Sequence, residues 1–309
     1  MNIAIIGAGA MGGLFGARLT AAGENVTLVD IWLEHVAAIN EKGLTVLELD
    51  MSESVARPHA LQRVEDVTAP DLVIVFVKST MTREAVLNAK CVFGPETRVL
   101  TLQNGLGNAE KIAEVVDAAK VLAGTTAQGA TLLGPGRVRH GGAGPTHIGC
   151  LAGGMDPFAQ KVAEMLSRAG LPTVVDADVT SLIWGKLVVN VGINALTALL
   201  HLRNGQLTEF DETRELVAMA VEEAVQVAKA AGVTLPYENA VHKVLAVATS
   251  TACNQSSMLQ DVLRRRRTEI DAINGALVQE GLRLGIATPV NRTLTLLVRN
   301  LEKNVGNFL

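Results

Sequence analysis

The sequence predicts an α/β chain in which an N-terminal, doubly wound, largely parallel sheet is followed by an all-helical C-terminal domain. Three observations lead there. Short apolar runs alternate with helical patterns through the first half, which indicates a parallel sheet covered on both faces. A glycine-rich turn, Gly7-Ala8-Gly9-Ala10-Met11-Gly12, joins the first of those runs to the first helix. After about Asp176 the strand signals stop, and helical periodicity continues almost unbroken.

Taken in order, Ile3–Ile6 is an apolar strand and the helix after the glycine turn runs to about Ala22. Asn25–Asp30 is the second strand and Trp32–Glu41 a helix; Leu72–Val77, Val99–Leu102, Val121–Thr126 and Val174-Val175 continue the strand series. Gly134-Pro135-Gly136 and Gly141–Pro145 bracket Arg137–His140, predicting a hairpin at the edge of the sheet. Helices are expected over Thr180–Leu200, Asp211–Ala231, Tyr237–Thr249, Thr268–Leu284 and Val290–Asn304, punctuated by Gly232, Gly285 and Pro289. The shift in texture divides the chain into a dinucleotide-binding domain, 1–176, and a helical substrate and dimerisation domain, 177–309.

Composition narrows the function. The 309 residues suggest two domains. Hydrophobic residues make up 49% and aromatics 3%, a core of small aliphatics far too rich for disorder. Lys and Arg number 27 against 31 acids, a net charge of −4 that argues against nucleic acid or an anionic membrane as partner. Three cysteines, Cys91, Cys150 and Cys253, lack C-x-x-C spacing, so neither a disulfide framework nor a metal site is expected. The start has no basic leader region, and the longest apolar stretch, near Leu187–Leu200, is broken by Asn190, Gly192 and Asn194. A soluble, cytoplasmic protein is expected.

The glycine turn is the strongest local signal. Gly7 permits the tight turn, Gly9 lets a pyrophosphate approach the backbone, and Gly12 lets helix and strand pack closely. Ala8, Ala10 and Met11 complete the turn, and the helix N-terminus supplies N–H donors and a positive dipole end. The competing reading is a strand–helix turn without a ligand. Asp30 ends the second strand 18 residues beyond Gly12, where a carboxylate accepts both ribose hydroxyls and repels a 2′-phosphate. NAD(H) is therefore favoured over NADP(H), although Asp30 also suits a simple cap for the next helix.

Further polar residues fall at strand ends. Lys78 follows Leu72–Val77 at the ligand-binding edge of the sheet, where a solvated loop lysine is the alternative. Gln103-Asn104-Gly105 closes the next strand, and Asn104 offers a donor and an acceptor to a nicotinamide amide or a substrate oxygen, or merely makes an Asn-Gly turn.

In the helical half, Lys186, Asn190 and Asn194 recur every four residues among Leu187, Val188, Val189, Val191 and Ile193. They share one helix face over roughly 12 Å. Buried polar groups need partners, and a substrate is a natural one. Desolvation lowers a lysine's pKa and readies it to protonate a carbonyl oxygen as hydride arrives at carbon. The alternative is a snorkelling lysine with amides tying helices together. Asn254 and Ser257 precede a helix and either cap it or bind a carboxylate or hydroxyl. Glu269 is expected to open the next helix, where a carboxylate suits the dipole. Arg264–Arg267 reads as a solvated charged face.

These segments together resemble the ketopantoate reductase (2-dehydropantoate 2-reductase) family over nearly the whole chain. The resemblance is carried by Gly7–Gly12, Val77-Lys78-Ser79, Gln103-Asn104-Gly105, Thr146-His147-Ile148-Gly149, Lys186–Asn194, Arg203-Asn204-Gly205, Ser256–Asp261 and Thr268–Gly275. It implies a Rossmann-type domain joined to a helical one, with the active site in the cleft between them. By the same resemblance Lys186 is the general acid, and Asn190, Asn194, Asn204 and Ser257 hold substrate. Lys78, Asn104, Ala130 and Glu269 contact cofactor, with Asn104 also near the substrate. Hydride would pass from reduced nicotinamide to the C2 ketone of a small anionic 2-oxoacid, giving a D-2-hydroxyacid.

One departure bears on cofactor and substrate. Biosynthetic members usually take NADPH and place an arginine just after the second strand, where this chain has Asp30-Ile31. An NAD-dependent D-2-hydroxyacid dehydrogenase with another branched or aromatic substrate is therefore the second expectation. A non-catalytic dinucleotide sensor is a third, against which the retained Lys186 speaks. The long apolar C-terminal helices lead to an expected homodimer.

Overall fold

The computed structural model describes residues 1–304. The chain divides into two compact units. One comprises Met1–Gln103 and Asn108–Val179, and the other joins Asn104–Gly107 to the chain from Thr180 onward.

In the first unit, apolar segments with no polar face become strands buried on both sides. β1 (Asn2–Ile6), β2 (Asn25–Val29), β5 (His59–Leu61), β6 (Leu72–Val75), β7 (Arg98–Thr101), β8 (Val121–Thr126), β11 (Thr146–Cys150) and β12 (Thr173–Val175) form one sheet. Its order is β12-β11-β8-β7-β6-β1-β2-β5. Every pairing in it is parallel except β8 with β11. The strand order reverses between β1 and β6, so their C-terminal ends open a crevice of the kind in which such sheets bind ligands.

A second sheet, order β4-β3-β10-β9, was not expected from the sequence. β3 (Leu44–Leu47) and β4 (Glu53–Ala56) pair antiparallel, as do β9 (Gly129–Gly134) and β10 (Arg137–Gly142). The predicted hairpin around Gly134-Pro135-Gly136 exists, but β10 pairs in parallel with β3 rather than lying on the edge of the main sheet. Helix α1 (Ala10–Ala21) lies between the two sheets, which explains its glycines. A Cβ on Gly13 would meet the Val138 side chain at 3.0 Å, and one on Gly16 would meet Leu28 at 2.6 Å. The remaining helices of this unit are α2 (Leu33–Lys42), α3 (Thr82–Asn88), α4 (Asn108–Ala113) and α5 (Pro157–Arg168).

The second unit is helical: α6 (Val179–Leu200), α7 (Asp211–Ala230), α8 (Ala240–Ser250), α9 (Ser257–Leu263), α10 (Asn274–Leu284) and α11 (Pro289–Asn304). The helix expected over Thr268–Leu284 is shorter, because an irregular turn precedes Asn274. Glu269 therefore sits in that turn and does not open a helix. α6 is long and apolar enough to cross a membrane by length and composition, contrary to the expectation from its interrupting asparagines, yet 67% of that stretch is buried inside the protein. That burial is the pattern of a core helix. Its core partners include Val217, Val221, Val244 and Leu277.

Candidate active site

The glycine turn is built by close backbone approach. Gly7 has φ +93°, and a Cβ there would lie 2.7 Å from the Val77 nitrogen; one on Gly12 would lie 1.9 Å from the Gly7 carbonyl oxygen. A Cβ on Gly9 would meet nothing within 4 Å, so the backbone is bare on the side a pyrophosphate would take. No side chain caps α1, and no acid lies in its first turn. Its leading N–H donors and dipole thus suit an anion, and the turn fits a dinucleotide.

Asp30 is held in place by that same turn. Its carboxylate accepts from the Ala8 N–H at 2.8 Å and from the Trp32 N–H at 3.0 Å. Capping and ribose binding are therefore compatible, since each carboxylate oxygen retains a second acceptor position. His35 braces the turn from beneath and was missed in the sequence. The Gly136 N–H donates to its Nδ1 at 2.9 Å, so Nε2 carries the hydrogen donated to the Ala8 carbonyl at 2.9 Å. A single buried histidine carries no motif that would reveal this.

At the neighbouring strand ends, exposed Lys78 starts the short turn Ser79–Met81 after β6. Gln103 donates to the Val77 carbonyl at 2.5 Å and to Thr82 Oγ1 at 2.8 Å, clamping the ends of β6 and β7. Ala130 lies in β9, opposite His140 and packed against the unit's core.

In the second unit a single face of α6 carries Lys186, Asn190 and Asn194. Lys186 is partly buried, and burial lowers its pKa to about 8, while the charge of Glu269 works in the opposite direction. Glu269 is buried at 8% exposure, and Asn104 Nδ2 donates to its carboxylate at 3.4 Å. Lysine, carboxylate and amide thus form one cluster. Gly105 makes it possible. Its φ is +87°, and a Cβ there would lie 2.2 Å from the Ala272 carbonyl oxygen, which also accepts from the Leu106 N–H at 2.9 Å. The turn is anchored from α11, whose Glu302 accepts from the Thr268 N–H and hydroxyl at 2.7 and 2.6 Å.

Farther along α6, Asn194 is 5% exposed, and neither its amide nor that of Asn190 hydrogen-bonds to a described residue. Asn204 donates to Thr251 Oγ1 at 2.9 Å, and its N–H donates to the Asn254 carbonyl at 3.0 Å. The Asn204 side-chain oxygen is buried without a partner. Such groups are expensive to bury unless a ligand completes them. Asn254 and Ser257 are exposed, and neither side chain caps α9. The cap is Ser256, whose hydroxyl accepts from the Leu259 N–H at 3.1 Å and lies 2.7 Å from Thr197 on α6. Its spacing from the first helical turn is the signal that distinguishes it from Ser257.

An open glycine turn on a parallel sheet, together with a helical unit presenting a lysine of lowered pKa, defines a nicotinamide-dependent oxidoreductase. Residues 3–153 match the family described as Ketopantoate reductase PanE/ApbA, and residues 178–302 match its C-terminal counterpart. The chain belongs to the ketopantoate reductase family. It is 41% identical over 306 residues to the 2-dehydropantoate 2-reductase of Halobacterium salinarum, covering 98% of this chain and 100% of that one. The Pyrococcus horikoshii enzyme of the same name is 35% identical over 311 residues, 99% of each chain. Among solved structures, a D-mandelate dehydrogenase with NADH and anilino(oxo)acetate aligns with a TM-score of 0.92 at 33% identity, over 99% of this chain and 100% of the other. A PanE/ApbA family ketopantoate reductase from Ralstonia eutropha JMP134 gives 0.91 at 33% identity, over the same shares.

Proposed function

We propose that this protein reduces the C2 carbonyl of a small 2-oxoacid to the D-2-hydroxyacid, with ketopantoate as the substrate. The observation that carries the reading is Lys186, partly buried, with its pKa lowered to about 8 beside Glu269. A nicotinamide dinucleotide bound at the glycine turn supplies the hydride. The N–H groups at the start of α1 hold the pyrophosphate, Asp30 takes the adenosine ribose hydroxyls, and Lys78, Asn104, Ala130 and Glu269 support the rest of the cofactor. Lys186 donates its Nζ proton to the ketone oxygen. A pKa of about 8 leaves roughly nine-tenths of it protonated at pH 7, yet makes it a better acid than an exposed lysine. Asn190, Asn194 and Asn204 orient the carboxylate and hydroxyl, with Asn254 and Ser257 closing the substrate side.

A second reading, an NAD-dependent D-2-hydroxyacid dehydrogenase for a bulkier substrate, is favoured by Asp30 and by the likeness to the D-mandelate dehydrogenase bound to NADH. Both readings take NADH in preference to NADPH. Steady-state kinetics with ketopantoate and a panel of branched and aromatic 2-oxoacids, each with both cofactors, separates them. The first reading requires the highest kcat/KM on ketopantoate; a higher value on an aromatic oxoacid overturns it in favour of the second. The homodimer is proposed to form through the helical unit, where Leu282, Leu296 and Leu297 are 76%, 53% and 49% exposed. Sedimentation of the native chain as a monomer would exclude it.

A further inference from the structure

The arginine run Arg264–Arg267 is exposed, as its sequence suggested, and three of its members also line a cavity. Arg265, Arg266 and Arg267 join Arg299 and Lys303 of α11 around a cavity of about 520 Å³ whose remaining lining is Asp271 and Glu302. Both acids are already engaged. Asp271 receives Arg299 at 2.7 Å and Arg267 at 3.4 Å, while one Glu302 oxygen takes both Thr268 donors. Among the described residues no carboxylate pairs with Arg265, Arg266 or Lys303. Like charges gathered this way repel one another in the absence of an anion.

The backbone at Arg265 adds a second observation. The Arg265 N–H bonds to the Val262 carbonyl and the Arg266 N–H to the Asp261 carbonyl, which closes α9 with Arg265, two residues beyond its end, in the left-handed region at φ 54°. Glycine or asparagine is the usual occupant of that position. A long cation held there in spite of its backbone preference is better explained by its charge than by the fold.

We infer that this cavity binds a small anion carrying a diphosphate group, separately from the dinucleotide and the oxoacid. Guanidinium groups match phosphate oxygens in a forked geometry, and three cations without a carboxylate partner among the described residues exceed what a single carboxylate balances. The ligand is small because the cavity holds only about 520 Å³ and no aromatic residue lines it to stack a base. None of the lining residues is among those assigned above to cofactor or substrate.

The test is calorimetric titration of the full chain with inorganic pyrophosphate at physiological salt, with and without saturating NADH. The parent should bind with the same affinity in both cases. The double variant Arg265→Gly/Lys303→Gln should bind about tenfold or more weakly while keeping the parent's kcat/KM. Glycine seats φ 54° without strain, so lost binding reports lost charge and not lost structure. Absence of binding by the parent at millimolar pyrophosphate, undiminished binding by the variant, or displacement by NADH would each overturn the site.

Discussion

At the scale of single residues, Lys186 is the group proposed to carry the chemistry, and its titration is the most direct check. Only the protonated lysine donates, so kcat/KM for reduction should fall as pH rises through about 8, while oxidation of the hydroxyacid should rise through the same range. Glu269 raises that pKa, so Glu269→Gln should move both limbs to lower pH; limbs that stay put would remove Glu269 from the cluster. Lys186→Ala should lower kcat by about 10²–10⁴-fold with NADH still bound, and unchanged turnover would end the general-acid assignment. Asp30→Ala should narrow the gap between NADH and NADPH affinities; tighter NADPH binding by the native chain would contradict the reading of Asp30. The lysine's partly buried place on one helix face with Asn190 and Asn194 was legible from their four-residue spacing among aliphatics. The partnership with Glu269 was not, because 82 intervening residues separate them and only the turn at Ala272 brings Asn104 alongside.

At the scale of elements, the loop Asn104–Gly107 shows how a short motif is fixed by a distant contact. Gly105→Ala adds a Cβ at φ +87° and 2.2 Å from the Ala272 carbonyl, whereas Gly107→Ala adds one at φ +83° with nothing within 4 Å. Both carry backbone strain of about 1–3 kcal/mol. Only the first also displaces the turn that holds Glu269. Denaturant unfolding should therefore show a larger loss for Gly105→Ala, accompanied by a fall in kcat that Gly107→Ala lacks. Equal losses would mean the Ala272 contact is incidental. Six of the eight strands of the main sheet were readable, because strands such as β1 and β6 are apolar almost throughout and buried on both faces, whereas β5 and β11 were not. The second sheet was not. Most of β4 is exposed, and β10 finds its partner β3 some ninety residues upstream, a pairing that local periodicity cannot encode.

At the scale of the whole chain, length and texture foretold two units but not their interleaving, since Asn104–Gly107 belongs to the second while both flanking segments belong to the first. No cut at a single peptide bond separates them. Each unit nevertheless buries its own core, one around Leu14, Ile74 and Leu100, the other around Leu187, Val221 and Leu277. A ligand held by the glycine turn stabilises the structure that holds it by RT ln(1 + [L]/Kd), about 2.7 kcal/mol at a hundred times Kd. If the cores open independently and the glycine turn, not Asn104 and Glu269, supplies nearly all of the cofactor's affinity, NADH at that concentration should slow hydrogen exchange of the β1, β6 and β7 amides about a hundredfold while leaving the α7 and α10 amides near their unliganded rates. The loop at Gly105 packs on Ala272 within the second unit, so Gly105→Ala should preserve the protection of the first core and accelerate exchange in α10. Equal slowing of both cores by NADH would instead show that the chain opens as one cooperative body, with cofactor binding stabilising the lysine-bearing helix as strongly as the sheet.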